Sequence, residues 1–317
     1  MKSSRKFWKF LSYFSFLVGV IFLLSACQVS SIILENNQET SAIPSVVPTH
    51  ATTKVVLQPV MNTVTITPTA TEILPTPTLP EIPCLETTGT IQEVLFSSEI
   101  LGEDIKANIY LPPCYDAQRG EGYPLLVLMH GQNGVHDQWI NLGLTTLADD
   151  WITNKIISPL VIVMPFERLY LMNSYTSSYD SALVEDLLPQ LLTQYHLQQE
   201  WEYRAIGGLS RGGNWAVRIA FEYPEAFGRV GAHSYTTFSG DMNRVQEWLQ
   251  SVSVYQPELW FDIGESDPYR KYGEPFVLTL QENGVDLVYQ VNPGNHTIDY
   301  WMEHVHEYLA WYTKDWQ

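Results

Sequence analysis

The sequence predicts an α/β fold, with a mostly parallel central sheet and helices on both of its faces. Two observations carry that reading. From residue 123 onward, short apolar segments of strand length alternate with longer segments of helical periodicity, which is the order of a parallel sheet covered on both sides. The segments 123–129 and 160–165 are also apolar almost throughout, as strands buried on both faces are. With 317 residues, 45% of them hydrophobic, the chain has ample material for one large core.

The elements follow in order. Residues 90–97 and 105–111 read as strands, joined through Leu101-Gly102-Glu103-Asp104 as an antiparallel start to the sheet. Residues 123–129 form a strand that runs into His130-Gly131-Gln132-Asn133-Gly134. A helix at 144–154, a strand at 160–165 and an amphipathic helix at 180–195 come next. A short strand at 203–206 leads through a glycine-rich turn to a helix at 214–221. Strands at 230–233, 259–263 and 287–291 then alternate with helices at 242–251 and 272–283. Residues 296–316 end the chain mainly as helix.

Ahead of this domain, which begins near residue 83, lie two segments of different composition. Residues 1–26 carry Lys2, Arg5, Lys6 and Lys9, then an apolar run over 10–24, then Leu24-Ser25-Ala26-Cys27. A basic start, a short apolar run and small residues before a cut site describe an export signal. With Cys27 at the cut site, this segment resembles a bacterial lipobox, which implies lipidation of Cys27 and an extracytoplasmic, membrane-anchored protein. A plain transmembrane anchor is the alternative, and the apolar run is short for it. Residues 27–82 are rich in Thr, Pro, Val and Ser, the composition of a tether. As a flexible coil of about 50 residues it would reach roughly 40 Å.

Charge narrows the partners. The chain holds 17 basic and 35 acidic residues, a net −18. Four of the basic residues lie in the signal, which has no acid, so the mature chain carries 13 against 35, or −22. That surface repels phosphate backbones and argues against nucleic acid as a partner. No Cys-x-x-Cys pair suggests a metal. His304 and His306, two apart on a helix, do not share a face and read as solvated. Apart from Cys27, the cysteines are Cys84 and Cys114. They flank the first two strands of an exported domain, so a disulfide between them is expected. Closing a loop of roughly 30 residues would stabilise by about 3–4 kcal/mol.

The chemistry centres on Gly208-Leu209-Ser210-Arg211-Gly212, a G-x-S-x-G pattern between a predicted strand and a predicted helix. A serine on such a sharp turn projects its hydroxyl above the sheet, and the crowding requires small neighbours. A serine hydroxyl needs a base, and the base needs an acid to orient it. An α/β-hydrolase supplies them in the order Ser, acid, His from loops after later strands. Trp260-Phe261-Asp262-Ile263-Gly264-Glu265-Ser266-Asp267 offers three acids. Asp267, beyond the strand end, is favoured over Asp262 within the strand and over Glu265; its alternative role is a helix cap before Pro268. His296, just past the last strand in Asn292-Pro293-Gly294-Asn295-His296, is favoured as base. His304 and His306 lie further along the final helix, and His130 and His136 come too early. The oxyanion hole needs two backbone N–H groups: Arg211, after the serine, and Gln132, in the loop after an early strand.

These residues, with Leu128-Met129-His130-Gly131, Trp139, Gly207-Gly208-Leu209-Ser210-Arg211-Gly212-Gly213, Pro224-Glu225-Ala226-Phe227-Gly228 and Gly294-Asn295-His296, carry a resemblance. The domain, over roughly 84–317, is similar to the putative-esterase (esterase D-like) family of α/β-hydrolases. That family includes feruloyl and acetylxylan esterases, S-formylglutathione hydrolases and mycolyltransferases. The resemblance implies acyl hydrolysis or transfer through an acyl-serine, with no cofactor, and favours Ser210, Asp267 and His296. The loop Gln132-Asn133-Gly134 departs from the more glycine-rich loop of relatives.

The leading expectation is an extracytoplasmic carboxylesterase. A surface tether suits an extracellular ester such as an acylated polysaccharide, and export argues against S-formylglutathione. Transfer to an acceptor other than water is the alternative, and a catalytically inactive binding protein on the same scaffold is a third reading. Trp139, His233 and Trp301 are candidate substrate contacts. With Tyr170, Tyr175, Tyr179, Tyr235 and Tyr300 they suggest an aromatic rim suited to acetyl or aryl esters.

Overall fold

The computed structural model of the protein describes residues 85–167, 174–251 and 254–316, all within the compact unit Thr76–Gln317. The export signal, Cys27, the tether, Cys84 and Tyr170 lie outside the described residues.

Eight strands form one sheet: β1 (Thr90–Phe96), β2 (Ile105–Leu111), β3 (Leu125–Met129), β4 (Val161–Pro165), β5 (Arg204–Leu209), β6 (Arg229–His233), β7 (Glu258–Gly264) and β8 (Val288–Asn292). Their order across the sheet is β1-β2-β4-β3-β5-β6-β7-β8. β1 pairs antiparallel with β2, and β2 with β4; all later pairs are parallel. The order reverses around β3, whose neighbours are β4 on one side and β5 on the other. A crevice opens at the carboxyl ends of strands at such a switch point. The β3–β5 register sets Met129 beside Gly208, so the loop after β3 emerges next to Ser210.

The central strands are apolar on both faces because both are covered. Leu125, Val127 and Met129 face one core layer, with Trp215, Phe221, Trp248 and Phe276. Leu126 and Leu128, one residue out of phase, face the other, with Trp139, Leu144, Tyr308 and Tyr312. The first layer is closed by α3 (Tyr179–Ser181), α4 (Leu188–Gln194), α5 (Arg211–Glu222), α6 (Asp241–Ser251) and α7 (Arg270–Glu282). The second is closed by α1 (Gln138–Asn141), α2 (Leu144–Thr153) and α8 (Ile298–Thr313).

Three local departures from expectation have physical causes. The helix expected over 180–195 is interrupted by a π-type turn at Ala182–Leu187. Pro189 follows in the first turn of α4; its missing N–H breaks the regular ladder just where the widened turn sits. The single-turn helix α1 is too short to show a periodicity. The last helix begins at Ile298 rather than 296, because the Thr297 hydroxyl caps it by accepting the Tyr300 N–H. His296 is therefore left in the preceding loop.

One packing contact is tight enough to test the sheet. A Cβ on Gly207 would lie 1.6 Å from the Tyr312 hydroxyl oxygen and 2.5 Å from its Cζ. The Tyr312 ring lies over β5 and β6 on one face of the sheet, its hydroxyl bonding the Gly231 carbonyl and His233. Gly207→Ala is expected to destabilise the domain by about 3 kcal/mol, read as a shift in urea midpoint. Tyr312→Phe should not cure it, because Cζ still clashes. An unchanged midpoint in Gly207→Ala would contradict this packing.

Candidate active site

Ser210 sits between β5 and α5 with φ 53° and ψ −113°, a positive-φ conformation rare outside glycine. Its N–H donates to the His233 carbonyl at 2.7 Å, and its own carbonyl accepts the Asn214 N–H at 3.0 Å. The small neighbours are needed for backbone contacts. A Cβ on Gly208 would lie 2.4 Å from the Gly212 carbonyl carbon, and one on Gly212 2.4 Å from the Met129 carbonyl oxygen. The start of α5 is thus wedged against the carboxyl end of β3.

Asp267 and His296 meet as the sequence predicts. His296 Nδ1 lies 2.7 Å from Asp267 Oδ2, and the carboxylate side chain is fully buried. The second carboxylate oxygen accepts the Tyr269 N–H at 2.8 Å, so Asp267 also organises the turn into α7. With Nδ1 held, Nε2 is the His296 nitrogen left for a hydroxyl. The imidazole is flanked by the Tyr269 ring, centroids 4.8 Å apart, and by the Trp301 ring at 5.2 Å, both edge-on. Trp301 is anchored in turn, its indole N–H donating to Ser234 Oγ at 3.0 Å.

The loop after β3 adjoins the serine: a Cβ on Gly131 would be 3.9 Å from Ser210 Cβ. The Gly131 N–H is committed to Gln138 Oε1 at 2.8 Å and is not free to donate to a ligand. His130 Nδ1 is 2.7 Å from the Gly131 carbonyl, and His130 Nε2 accepts the Glu167 N–H at 2.9 Å. Glu167 in turn grips the Arg211 guanidinium through both carboxylate oxygens, at 2.8 and 2.6 Å. Glu167 carried no signal in the sequence; its partner lies 44 residues away, and topology alone brings them together.

Several expected contacts turn inward instead. Trp139 is buried, donates to the Met129 carbonyl at 3.1 Å and packs on Tyr308. His233 is fully buried with both nitrogens occupied, Nδ1 by Asp262 at 2.6 Å and Nε2 by the Tyr312 hydroxyl at 2.8 Å. Neither has surface for a substrate. Trp301 is buried too, its ring edge-on to the His296 imidazole. Tyr179, Tyr235 and Tyr300 are buried against Trp215, Phe261 and His304. His304 is buried, not solvated; His306 is exposed. Of the expected rim, Tyr175 is exposed at 69%; Tyr269, not singled out from the sequence, is 46% exposed while touching His296. Among the described residues, no group of three or more His, Cys, Asp or Glu is placed to hold a metal ion.

The family model described as "Putative esterase" matches residues 98–312, and the chain belongs to that family. An endo-1,4-beta-xylanase/feruloyl esterase of Xylanibacter ruminicola is 31% identical over 160 residues, which is 47% of this chain and 22% of that protein. An esterase of Mycobacterium tuberculosis is 27% identical over 186 residues, covering 52% of this chain and 39% of that one. The chain therefore spans well under half the length of these two relatives. Among solved structures, a ferulic acid esterase superposes with a TM-score of 0.63 at 19% identity, covering 73% of this chain and 99% of the other. A ferulic acid esterase from Anaeromyces mucronatus in complex with ferulic acid gives 0.59 at 18% identity, with 71% and 90% covered. These likenesses establish the α/β-hydrolase fold.

Burial sets the proton state of His130. The Glu167 N–H must find a lone pair on Nε2, so the ring is neutral with its proton on Nδ1. Burial pushes the imidazole below its ordinary value near 6.5, against smaller opposing effects of the Gly131 carbonyl and Glu167. The unfolded chain therefore binds this proton more readily than the folded one. The stability from His130 is fully present above about pH 6.5 and is lost as pH falls below it. Unfolding midpoints of His130→Asn, measured between about pH 7.5 and about pH 5, should fall less steeply with acidification than those of the unmodified protein. Parallel pH profiles would contradict a neutral His130.

Proposed function

We propose that this chain is a serine carboxylesterase in which Ser210 attacks, His296 is the general base and Asp267 orients it. The observations that carry the reading are the 2.7 Å Asp267–His296 bond and the positive φ of Ser210 at the strand-to-helix elbow. His296 Nε2 takes the Ser210 proton as Oγ adds to the ester carbonyl. The oxyanion forms against the Arg211 and Gln132 N–H groups. The imidazolium returns its proton to the leaving alcohol, and water, activated by the same imidazole, releases the acid.

The substrate in this reading is a short acyl or aryl ester, extracellular and borne by a carbohydrate. Tyr269, half-exposed and edge-on to His296, supports it by offering an aromatic wall at the reacting bond. The named feruloyl and ferulic acid esterase relatives support it too. The protein acts outside the cytoplasm, tethered through lipid on Cys27. A Cys84–Cys114 disulfide belongs to the same picture. Glu86 accepts the Cys114 N–H at 2.8 Å, which draws the chain next to Cys84 toward Cys114. Mass spectrometry of unreduced peptides tests the link.

Ser210→Ala should lower hydrolysis of p-nitrophenyl acetate by about 10⁴-fold or more while the fold survives, and should abolish labelling by a fluorophosphonate probe. Retained activity would refute the assignment. In a chain-length series, kcat/KM should be higher for acetyl and aryl esters than for acyl chains of about twelve carbons. A steady rise with length would point to a lipid substrate, and faster turnover with added sugar acceptors to acyl transfer.

A further inference from the structure

The two oxyanion donors of the proposed mechanism come from separate walls of the crevice, and such donors act only if their spacing is held to within about half an ångström. The Gln132 N–H belongs to the same peptide unit as the Gly131 carbonyl. That carbonyl receives His130 Nδ1–H at 2.7 Å, which fixes the peptide plane and, in a trans peptide, aims the N–H away from His130. The bond also polarises the amide, making its N–H a stronger donor. The Arg211 N–H shares its peptide unit with the Ser210 carbonyl, which is bonded to the Asn214 N–H.

Glu167 spans the two walls. Its N–H bonds His130 Nε2, and its carboxylate holds the Arg211 side chain in a two-pronged grip. We propose that Glu167 is a positioning residue for the oxyanion hole, braced on His130 toward one donor and on Arg211 toward the other. This rests on the esterase reading above. A buried ion pair adds little stability over an apolar pair of the same volume, so stability does not account for placing one here. The Arg211 guanidinium also lies over two aromatic rings, 5.8 Å from the centre of Trp215 and 5.1 Å from that of Phe238. Glu167 and Arg211 are both buried. What the pair supplies is a fixed direction between two segments that share no backbone hydrogen bond ladder.

The test separates positioning from folding. Glu167→Asp keeps the charge and the N–H but withdraws the carboxylate by one methylene. Glu167→Leu with Arg211→Met removes both charges at similar volume. Each is assayed for melting temperature, for kcat and KM on p-nitrophenyl acetate, and for affinity toward phenylboronic acid, whose tetrahedral adduct with Ser210 places an oxygen in the oxyanion hole. Both variants should lose about 10- to 100-fold in kcat, less than a deleted donor costs, with KM changed less than about twofold. Boronate affinity should fall in step with kcat, and the double variant should melt near the unmodified protein. If the double variant folds and keeps kcat within about threefold, the proposal is wrong. If boronate affinity is unchanged while kcat falls, it is wrong as well. An unmodified protein without Ser210-dependent esterase activity would refute the underlying reading instead.

Discussion

The contact between the start of α5 and the end of β3 is the constraint from which the site follows. Helix α5 begins at the residue after Ser210, with no loop between them. It fits there because Gly208 and Gly212 allow backbone to touch backbone. The consequence is a serine at positive φ, which costs about 1–3 kcal/mol. Val217, Ile219 and Phe221 of the same helix are fully buried, and each contributes about 1.5–3 kcal/mol. Helix burial outweighs the strain, so the elbow persists without help from a ligand. The same wedge brings the Arg211 amide and the loop after β3 into one crevice.

Among the described residues are two Asp–His pairs of nearly equal length, Asp262–His233 at 2.6 Å and Asp267–His296 at 2.7 Å. Their surroundings assign them different work. His233 has both nitrogens engaged, and Asp262 also accepts the Tyr300 and Tyr308 hydroxyls. Burial, reinforced by the Asp262 carboxylate, raises both phenols well above their ordinary value, so they stay protonated donors. This pair is a closed network joining β6, β7 and α8 beneath the elbow. Among the described residues, the His296 ring is hydrogen-bonded only through Nδ1 and is partly exposed, as the proposed proton transfer requires.

The parts of this arrangement that depend on neighbours in sequence were legible in the sequence. Strand and helix positions followed from apolar periodicity, and Ser210, Asp267 and His296 from their places after strand ends. The parts that depend on where a side chain turns were not. Tyr179, Tyr235 and Tyr300 follow strands just as a rim residue would, yet each buries its ring in the nearest core layer. Position along the chain does not tell whether a ring after a strand turns in or out. Tyr269 stayed hidden because it belongs to a turn shaped by Asp267 itself. Glu167 and Arg211 were visible only as an acid after one strand and a base after another; pairing them needed β3 and its neighbours in register.

One face of α5 extends the same logic away from the serine. Arg211 and Arg218 lie seven residues apart, so they project to the same side, and both lie over the rings of Trp215 and Phe238. Arg211 holds Glu167, just after β4; Arg218 holds Asp241 at the start of α6 and the Ser174 carbonyl at 2.6 Å. The anchored segments are those that follow β4 and β6. Cation–π contact returns about 0.5–2 kcal/mol for each arginine, and the ion pairs little net stability. Removing one partner, however, strands a buried charge at a cost of about 3–5 kcal/mol. The ladder therefore acts less as a source of stability than as a penalty on misplacement. It pins the segments that follow β4 and β6 to the helix that begins beside Ser210, so their placement and that of Ser210 are set by one rigid element.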